Sequence, residues 1–194
     1  NNDGFRVIAV AIREEVMIEK SYRIEDESDL VLLGYIAFLD PPKESAKPAI
    51  EALQACGVTV KILTGDNELI ARKVCREVGL SIGKVILGSQ IDHMNDQEIS
   101  EQLIATQIFA KMTPQQKARV IRLLQSQGHV VGYLGDGIND GPGLKVADVS
   151  ISVDSGVDIA KESADIILLE KSLMVIYQGV LEGRRVFGNI MKYI

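Results

Sequence analysis

This chain of 194 residues has few cysteines and no excess of basic side chains. Cys56 and Cys75 are its two cysteines, which are too few for a disulfide framework and fit a reducing compartment. Acidic side chains outnumber basic ones and give a formal net charge of −6. A protein that binds the phosphate backbone of nucleic acids presents a basic face instead, so we expect no nucleic-acid partner.

Long apolar runs and several familiar enzyme motifs are also missing. The longest apolar run, LVLLGYIAFL at residues 30–39, is too short to cross a bilayer, which needs about 20 residues. We find no signal peptide, P-loop, dinucleotide fingerprint or Gly-x-Ser-x-Gly elbow. His93 and His129 are isolated, which disfavours a zinc site. The chain starts close to a strand and stops within a helical pattern, so we expect it to be part of a larger protein.

Strand-like and helix-like segments alternate from residue 31 onward. Nearly all-apolar strands are predicted at 31–39, 58–63, 84–87, 108–110, 129–134, 148–153 and 164–170. Such strands with helices between them indicate an α/β protein with a doubly wound, Rossmann-like parallel sheet. Ligands bind such sheets at the carboxyl ends of the strands, so the loops that follow the strands are candidate sites.

Two carboxylates lie four residues apart on a glycine-rich loop after the strand at 129–134. Asp136 and Asp140, with Asn139 beside them, suit a hard cation such as Mg²⁺, which prefers oxygen ligands. The alternative is an ordinary Asp-Gly turn. Two acids this close repel each other unless a cation offsets their charge, so we favour a metal site.

A second loop, TGDN at 64–67, follows the strand at 58–63. Thr64 and Gly65 offer a hydroxyl and an accessible backbone N–H to a phosphate, next to the N-terminus of the following helix. The alternative is a simple strand-to-helix turn in which Asp66 or Asn67 caps the helix.

A third candidate is Lys117, near the start of a helix that begins with TPQQ at 113–116. Thr113 and Gln116 form the pattern of a capping box around this start. A lysine here opposes the helix dipole. It is either a solvated surface charge or a group that neutralises phosphate oxygens.

Taken in order, TGDN, TPQQK and GDGINDGP resemble the phosphorylation domain of P-type ATPases, which belong to the haloacid-dehalogenase-like superfamily. The DPPK segment at 40–43 is similar to the hinge of that family, and GFRVIAVA at 4–11 to the last strand of its nucleotide-binding domain. Residues 156–194 look like the run toward its fifth transmembrane helix, most like bacterial magnesium-importing pumps.

The resemblance predicts three parts and a set of site residues. Residues 1–30 would end the nucleotide-binding domain and include the hinge, 31–172 would form the phosphorylation domain core, and 173–194 a stalk helix toward the membrane. The substrate would be ATP and the cofactor Mg²⁺. Thr64, Gly65 and Asp66 would contact the transferred phosphoryl group, Lys117 would stabilise its oxygens, and Asp136 and Asp140 would form the metal site, with Asp136 as the ligand and Asp140 and Asn139 as supports.

Two features depart from the family pattern. The Asp-Lys-Thr-Gly-Thr motif that carries the nucleophile is absent, so the chain would lack one strand of the sheet and be inactive alone. Its partner would be an upstream segment of the same protein, with the nucleophile strand, the nucleotide-binding and actuator domains and the membrane helices. Gly141 and Gly143 stand where the family usually has alanine.

The resemblance implies the cytoplasmic portion of an integral protein of the inner or plasma membrane that transports a cation, Mg²⁺ by the subfamily pattern. Two alternatives stay open. One is a stand-alone phosphatase of the same superfamily, although the Asp-x-Asp motif of such enzymes is not found near the start. The other is a non-catalytic regulatory module.

Overall fold

The computed structural model describes residues 6–14, 21, 23–38, 41–170 and 172–193. Its contacts divide the chain into two units, Asn1–Pro41 and Pro42–Ile194. The division falls later than the boundary expected at residue 30, because strand β2 (Val31–Phe38) pairs with β1 (Arg6–Ile12). Leu39 and Asp40, at the predicted hinge, lie outside the described residues. The functional assignment of the three parts stays a prediction.

The first unit contains an antiparallel ribbon of β1 and β2, in which Ile8 lies opposite Ile36 and a bulge follows Val10. Apolar side chains of both strands are exposed, for example Ile8 at 56% and Tyr35 at 67%. A two-stranded ribbon has too few strands to bury its own side chains.

The second unit alternates strands with helices, as predicted. Its strands are β3 (Ile62–Leu63), β4 (Lys84–Leu87), β5 (Thr106–Ala110), β6 (Gly132–Leu134), β7 (Val149–Val153) and β8 (Ile166–Leu168). Its helices are α1 (Ala46–Ala55), α2 (Glu68–Glu77), α3 (Gly88–Ile91), α4 (Asp96–Leu103), α5 (Pro114–Ser126), α6 (Gly141–Leu144), α7 (Asp158–Glu162) and α8 (Met174–Ile190). Every strand pair in this unit is parallel, which confirms the predicted α/β class. The placement of the strand at 31–39 in the parallel sheet was wrong, because β2 pairs antiparallel with β1.

The parallel sheet is divided into two halves, with strand orders β3-β5-β4 and β6-β7-β8. Within the described part of the chain, β3 pairs with β5 alone and β6 with β7 alone. The predictions of full strands at 58–63 and 129–134 were wrong in extent, since β3 has two residues and β6 has three. A strand with one neighbour forms half of the ladder hydrogen bonds, and these two edges are where an additional strand is expected.

Helix α5 packs on both halves of the sheet. Val120 and Leu123 of α5 join the buried cluster around Phe109 of β5. Ile121, on the same helix, joins the cluster around Tyr133 of β6. The two halves therefore share one covering helix.

The predicted starts of α2 and α5 are confirmed at atomic detail. The Asn67 side chain accepts a hydrogen bond from Ile70 N at 3.0 Å and caps α2. At the start of α5, the Thr113 hydroxyl accepts from Gln116 N at 3.3 Å, and Thr113 N donates to Gln116 Oε1 at 2.8 Å. This reciprocal capping box fixes the first turn, in which Lys117 lies.

Candidate functional site

The Asp140 carboxylate is the centre of a polar cluster in the second unit. Its Oδ1 accepts hydrogen bonds from Lys117 Nζ and from the Tyr133 hydroxyl, both at 2.8 Å. Its Oδ2 accepts from the backbone N–H groups of Asp136, at 3.2 Å, and Gly137, at 3.1 Å. A carboxylate offers about four lone-pair positions, so these donors occupy the whole group. Asp140 thus anchors the loop and the lysine at once.

Lys117 and Asp140 are both largely withdrawn from solvent, with side chains 8% and 14% exposed. Buried charges in proteins are paired, because an isolated charge loses its hydration without compensation. The alternative of a solvated surface lysine is therefore wrong. The pair holds an ammonium group near the carboxyl end of β6, where the sequence predicted a site.

The hydrogen bonds also determine the ionisation of this cluster. Burial of Asp140 by itself raises its pKa, but the hydrogen bonds from Lys117 and Tyr133, the charge of Lys117 and the hydrogen bond from Gly137 outweigh it and hold the pKa below its usual value. The pKa of Tyr133 is raised, first by burial and then by the charge and hydrogen bond of Asp140. At neutral pH, Asp140 is a carboxylate and Tyr133 a neutral donor.

Asp136 is arranged differently from Asp140. Its backbone is held on both sides, because its N–H donates to Asp140 and its carbonyl accepts from Val157 N at 3.0 Å. Its side chain is exposed, and among the described residues no hydrogen bond or ion pair engages the carboxylate. A fixed backbone with an available carboxylate fits a Mg²⁺ ligand, since Mg²⁺ is usually held by one or two carboxylates plus phosphate and water.

No group of three or more acidic, histidine or cysteine side chains that could hold a metal occurs in the described ranges. Of the two acids predicted for the metal site, Asp136 has an available carboxylate, whereas the Asp140 carboxylate already accepts four hydrogen bonds. Metal binding by either residue stays a prediction. Asn139 is exposed in the 3-10 turn Ile138–Asp140, one residue before Asp140. Its predicted role at the metal site stays a prediction.

The Thr64 loop follows β3 and is fastened to the end of β5. Thr64 N donates to Phe109 O and Met112 N donates to Thr64 O, both at 2.9 Å. Lys111 N donates to Asp66 O at 2.8 Å. The backbone of the loop is thus held by hydrogen bonds to the end of a neighbouring strand.

Within the loop, the Thr64 hydroxyl accepts from Asp66 N at 3.0 Å and donates to Asp66 Oδ2 at 3.3 Å. Asn67, rather than Asp66, caps α2, as one of the two alternatives predicted. A helix cap and a phosphate contact are compatible, because the cap uses Asn67 alone. Contact of Thr64, Gly65 and Asp66 with a phosphoryl group stays a prediction.

The described contacts connect the three motifs in one path. Thr64 is bonded to Met112, and the next residue, Thr113, caps α5. Lys117 N donates to Thr113 O at 3.1 Å, and Lys117 Nζ reaches Asp140. The TGDN, TPQQK and GDGIND segments therefore lie at the carboxyl ends of strands β3, β5 and β6, as the doubly wound pattern predicts.

Tyr133 is the site residue that the sequence reasoning missed. It lies in an apolar strand and reads as a core residue, and its ring is indeed buried at 8% exposure. The available signal was its hydroxyl, because a buried tyrosine O–H usually requires a hydrogen-bond partner. Gly135 is a second residue that the sequence alone did not indicate. A Cβ at this position would lie 2.5 Å from Asp140 Cβ.

Comparison with known proteins identifies the family of the chain. A protein-family model described as haloacid dehalogenase-like hydrolase matches residues 7–148. The chain belongs to the haloacid dehalogenase-like hydrolases.

Among curated proteins, the chain is 58% identical over its whole length to "Magnesium-transporting ATPase, P-type 1" of Escherichia coli (strain K12), of which it covers 22%. It is 34% identical to a calcium-transporting ATPase of Listeria monocytogenes, again covering 22% of that protein. A solved structure of a zinc-transporting PIB-type ATPase in its E2.Pi state has a TM-score of 0.68 and 29% identity, with 98% of this chain and 24% of that chain covered.

These matches confirm the predicted resemblance to P-type ATPases. The chain spans about a fifth of the length of the relatives, from the 22% that it covers. In the part of the chain that the structure describes, no helix combines the length and hydrophobicity needed to cross a membrane.

Proposed function

We propose that this chain forms most of the phosphorylation domain of an ATP-driven cation pump, in which it holds the transferred phosphoryl group and Mg²⁺. The single observation that supports this most is the buried Lys117–Asp140 pair, whose carboxylate also accepts a hydrogen bond from the backbone N–H of Asp136. Phosphoryl transfer needs positioning and charge neutralisation more than covalent chemistry from the protein, and this arrangement supplies both.

In the proposed reaction, a carboxylate oxygen of an aspartate outside this chain attacks the γ-phosphorus of ATP. The bond between γ-phosphorus and the bridging oxygen breaks, ADP leaves, and water later hydrolyses the aspartyl phosphate. Lys117 would neutralise phosphoryl oxygens while Asp140 holds its ammonium group in place. Thr64, Gly65 and Asp66 would contact the same group, and Asp136 would hold Mg²⁺, which supplies further positive charge when bound.

The nucleophile would come from an upstream segment of the same protein. Of the four strands at the edges of the two half-sheets, β3 and β6 precede the loops of the predicted site, and each has one unpaired side within the described residues. Unpaired N–H and C=O groups in a covered sheet are costly, so a parallel strand between them would satisfy both edges. Its carboxyl end would bring the nucleophile between the Thr64 loop and Asp136.

The transported ion is proposed from relatives alone. The relative with 58% identity is named a magnesium-transporting ATPase, which favours Mg²⁺ as the cargo over the ions named for the more distant matches. In this proposal the chain belongs to the cytoplasmic portion of a membrane protein, and α8 leads toward the membrane. Other segments of the same protein supply the nucleotide-binding and actuator domains and the membrane helices.

The test uses the full-length protein that carries this sequence, purified in detergent and given radiolabelled ATP with Mg²⁺. We expect an acid-stable, hydroxylamine-sensitive phosphoenzyme in the wild type. Asp136→Asn should slow its formation by about two orders of magnitude, as the loss of a group essential to phosphoryl transfer does.

Asp154→Asn is the matched control. Asp154 is an exposed acid on the loop after β7, and its change should leave the rate unaltered. A wild-type protein without phosphoenzyme, or an Asp136→Asn variant with the wild-type rate, would contradict the proposal. Hydrolysis of a simple phosphate ester by the 194-residue chain alone would favour a stand-alone phosphatase instead.

A further inference from the structure

We propose that Tyr133 is a positioning residue for phosphoryl transfer, and that Gly143 is glycine because the Tyr133 ring occupies the space of a side chain there. Tyr133 acts through Asp140 on Lys117 and does not itself touch the substrate. The inference rests on the proposed function, because it assigns a further residue to the same site.

The hydroxyl of Tyr133 and the ammonium of Lys117 donate to the same oxygen of Asp140, each at 2.8 Å. The other oxygen is held by two backbone N–H groups. Without the hydroxyl, Oδ1 would keep Lys117 as its one protein donor. The lysine and carboxylate could then move together, whereas the hydroxyl fixes the oxygen to which Lys117 must point.

The ring of Tyr133 gives its hydroxyl a fixed origin. Tyr133 lies on β6 and is buried in a cluster with Ile121 of α5, Leu144 of α6 and Ala160 of α7. Close packing on several sides restricts the ring to one orientation. The hydroxyl therefore reaches Asp140 from the hydrophobic core, on the side opposite to solvent.

Gly143 provides the space that this orientation requires. A Cβ at residue 143 would lie 2.8 Å from Cε1 and 3.0 Å from Cζ of Tyr133, and 3.3 Å from Cδ1 of Ile121. Gly143 does not have a positive φ, so glycine is required here for space rather than for an unusual backbone conformation.

Gly141 differs from Gly143 although the two lie in the same Gly-Pro-Gly segment. A Cβ at Gly141 meets no atom within 4 Å, and its φ of −49° suits any residue. The ring of Tyr133 thus explains why residue 143 is glycine instead of the alanine usual in the family. It does not explain Gly141. Gly141→Ala is a matched control, because it adds the same methyl group two residues away.

The experiment measures, in the full-length protein, the rate of phosphoenzyme formation per folded molecule, the apparent KM for ATP and the melting temperature. The variants are Tyr133→Phe, Gly143→Ala, Gly141→Ala and the double variant Tyr133→Phe with Gly143→Ala. Losing one hydrogen bond to a charged group should lower the rate in Tyr133→Phe by about tenfold to a hundredfold. The apparent KM should stay within about twofold, because the change acts on transfer rather than on nucleotide binding.

Gly143→Ala should lower the rate at least as much as Tyr133→Phe, and Gly141→Ala should match the wild type. In the double variant the hydroxyl is already absent, so displacement of the ring by the new methyl group breaks no further contact with Asp140. Its rate should therefore equal that of Tyr133→Phe, so that the two losses do not multiply.

Several outcomes would overturn the inference while the wild type forms phosphoenzyme: an unchanged rate in Tyr133→Phe, equal losses in Gly141→Ala and Gly143→Ala, or multiplied losses in the double variant. A lower melting temperature with an unchanged rate per folded molecule would mean that Tyr133 is only structural. If Gly143→Ala does not fold, Tyr133→Phe and the double variant still decide. Absence of phosphoenzyme in the wild type would instead contradict the proposed function, and this inference with it.

Discussion

Replacing Asp140 by asparagine should destabilise the chain more than replacing Lys117 by methionine. Asp140 accepts four hydrogen bonds, whereas Lys117 Nζ makes one with Asp140. In Asp140→Asn, an NH₂ group replaces one oxygen, so two donors lose their acceptor whichever way the amide is oriented. Hydrogen bonds to charged groups contribute about 1.5 to 3 kcal/mol each, and the Asp140 side chain is 14% exposed, so we expect a loss of about 3 kcal/mol.

Lys117→Met removes one of these bonds and leaves the Asp140 charge with three donors. The methionine fills the buried space of the lysine stem, which keeps the packing of α5. At the same lower figure for one bond, we expect a loss of about 1.5 kcal/mol, half of that in Asp140→Asn.

The assay is urea unfolding of the 194-residue chain, followed by circular dichroism at neutral pH. Asp136→Asn is the control, because it makes the same substitution at an exposed carboxylate and should change the free energy of unfolding by less than about 0.5 kcal/mol. Equal losses in Lys117→Met and Asp140→Asn, or a loss below about 1 kcal/mol in Asp140→Asn, would refute the four-donor account.

Three further predictions concern the pKa of Asp140, the pKa of Tyr133 and the capping box at Thr113. The folded pKa of Asp140 lies below its unfolded value, so the stabilisation by its carboxylate is present above about pH 4 and is lost as the pH falls through the folded pKa. The free energies of unfolding of wild type and Asp140→Asn should therefore converge in acid. A difference that stays constant with pH would contradict this. Burial and then Asp140 raise the pKa of Tyr133, so its hydroxyl should stay protonated at about pH 11. Folded wild type and Tyr133→Phe should therefore show equal tyrosinate absorbance at that pH. A larger absorbance in the wild type would count against the hydrogen bond between Tyr133 and Asp140. Thr113→Ala removes a helix cap and should cost about 1 kcal/mol in urea unfolding, where no change would argue against the capping box.

Local patterns predicted much of the second unit. The strand at Lys84–Leu87 and the start of α5 at Pro114 agree with the sequence, because an apolar run and a capping box each depend on neighbouring residues. The positions of the three motifs at strand ends also follow from the alternation of strands and helices. The pairing of Lys117 with Asp140 brings together two motifs that were predicted separately.

The differences lie where distant segments decide the structure. The edge strands β3 and β6 are short because a strand forms only where a neighbour supplies hydrogen bonds, and hydrophobicity alone does not reveal that neighbour. The first unit extends to Pro41 because β2 pairs with β1, a contact that local periodicity does not encode. The role of Tyr133 depends on where its ring points, so in the sequence it resembles any apolar strand residue.

The most direct test of the central claim locates the phosphate. The 194-residue chain is incubated with radiolabelled ATP and Mg²⁺, alone and together with a separately produced upstream segment of the same protein. We predict no acid-stable label on the chain alone, and in the mixture a label on the upstream polypeptide that is lost when Lys117 is replaced by methionine. An acid-stable aspartyl phosphate on this chain itself would contradict the account.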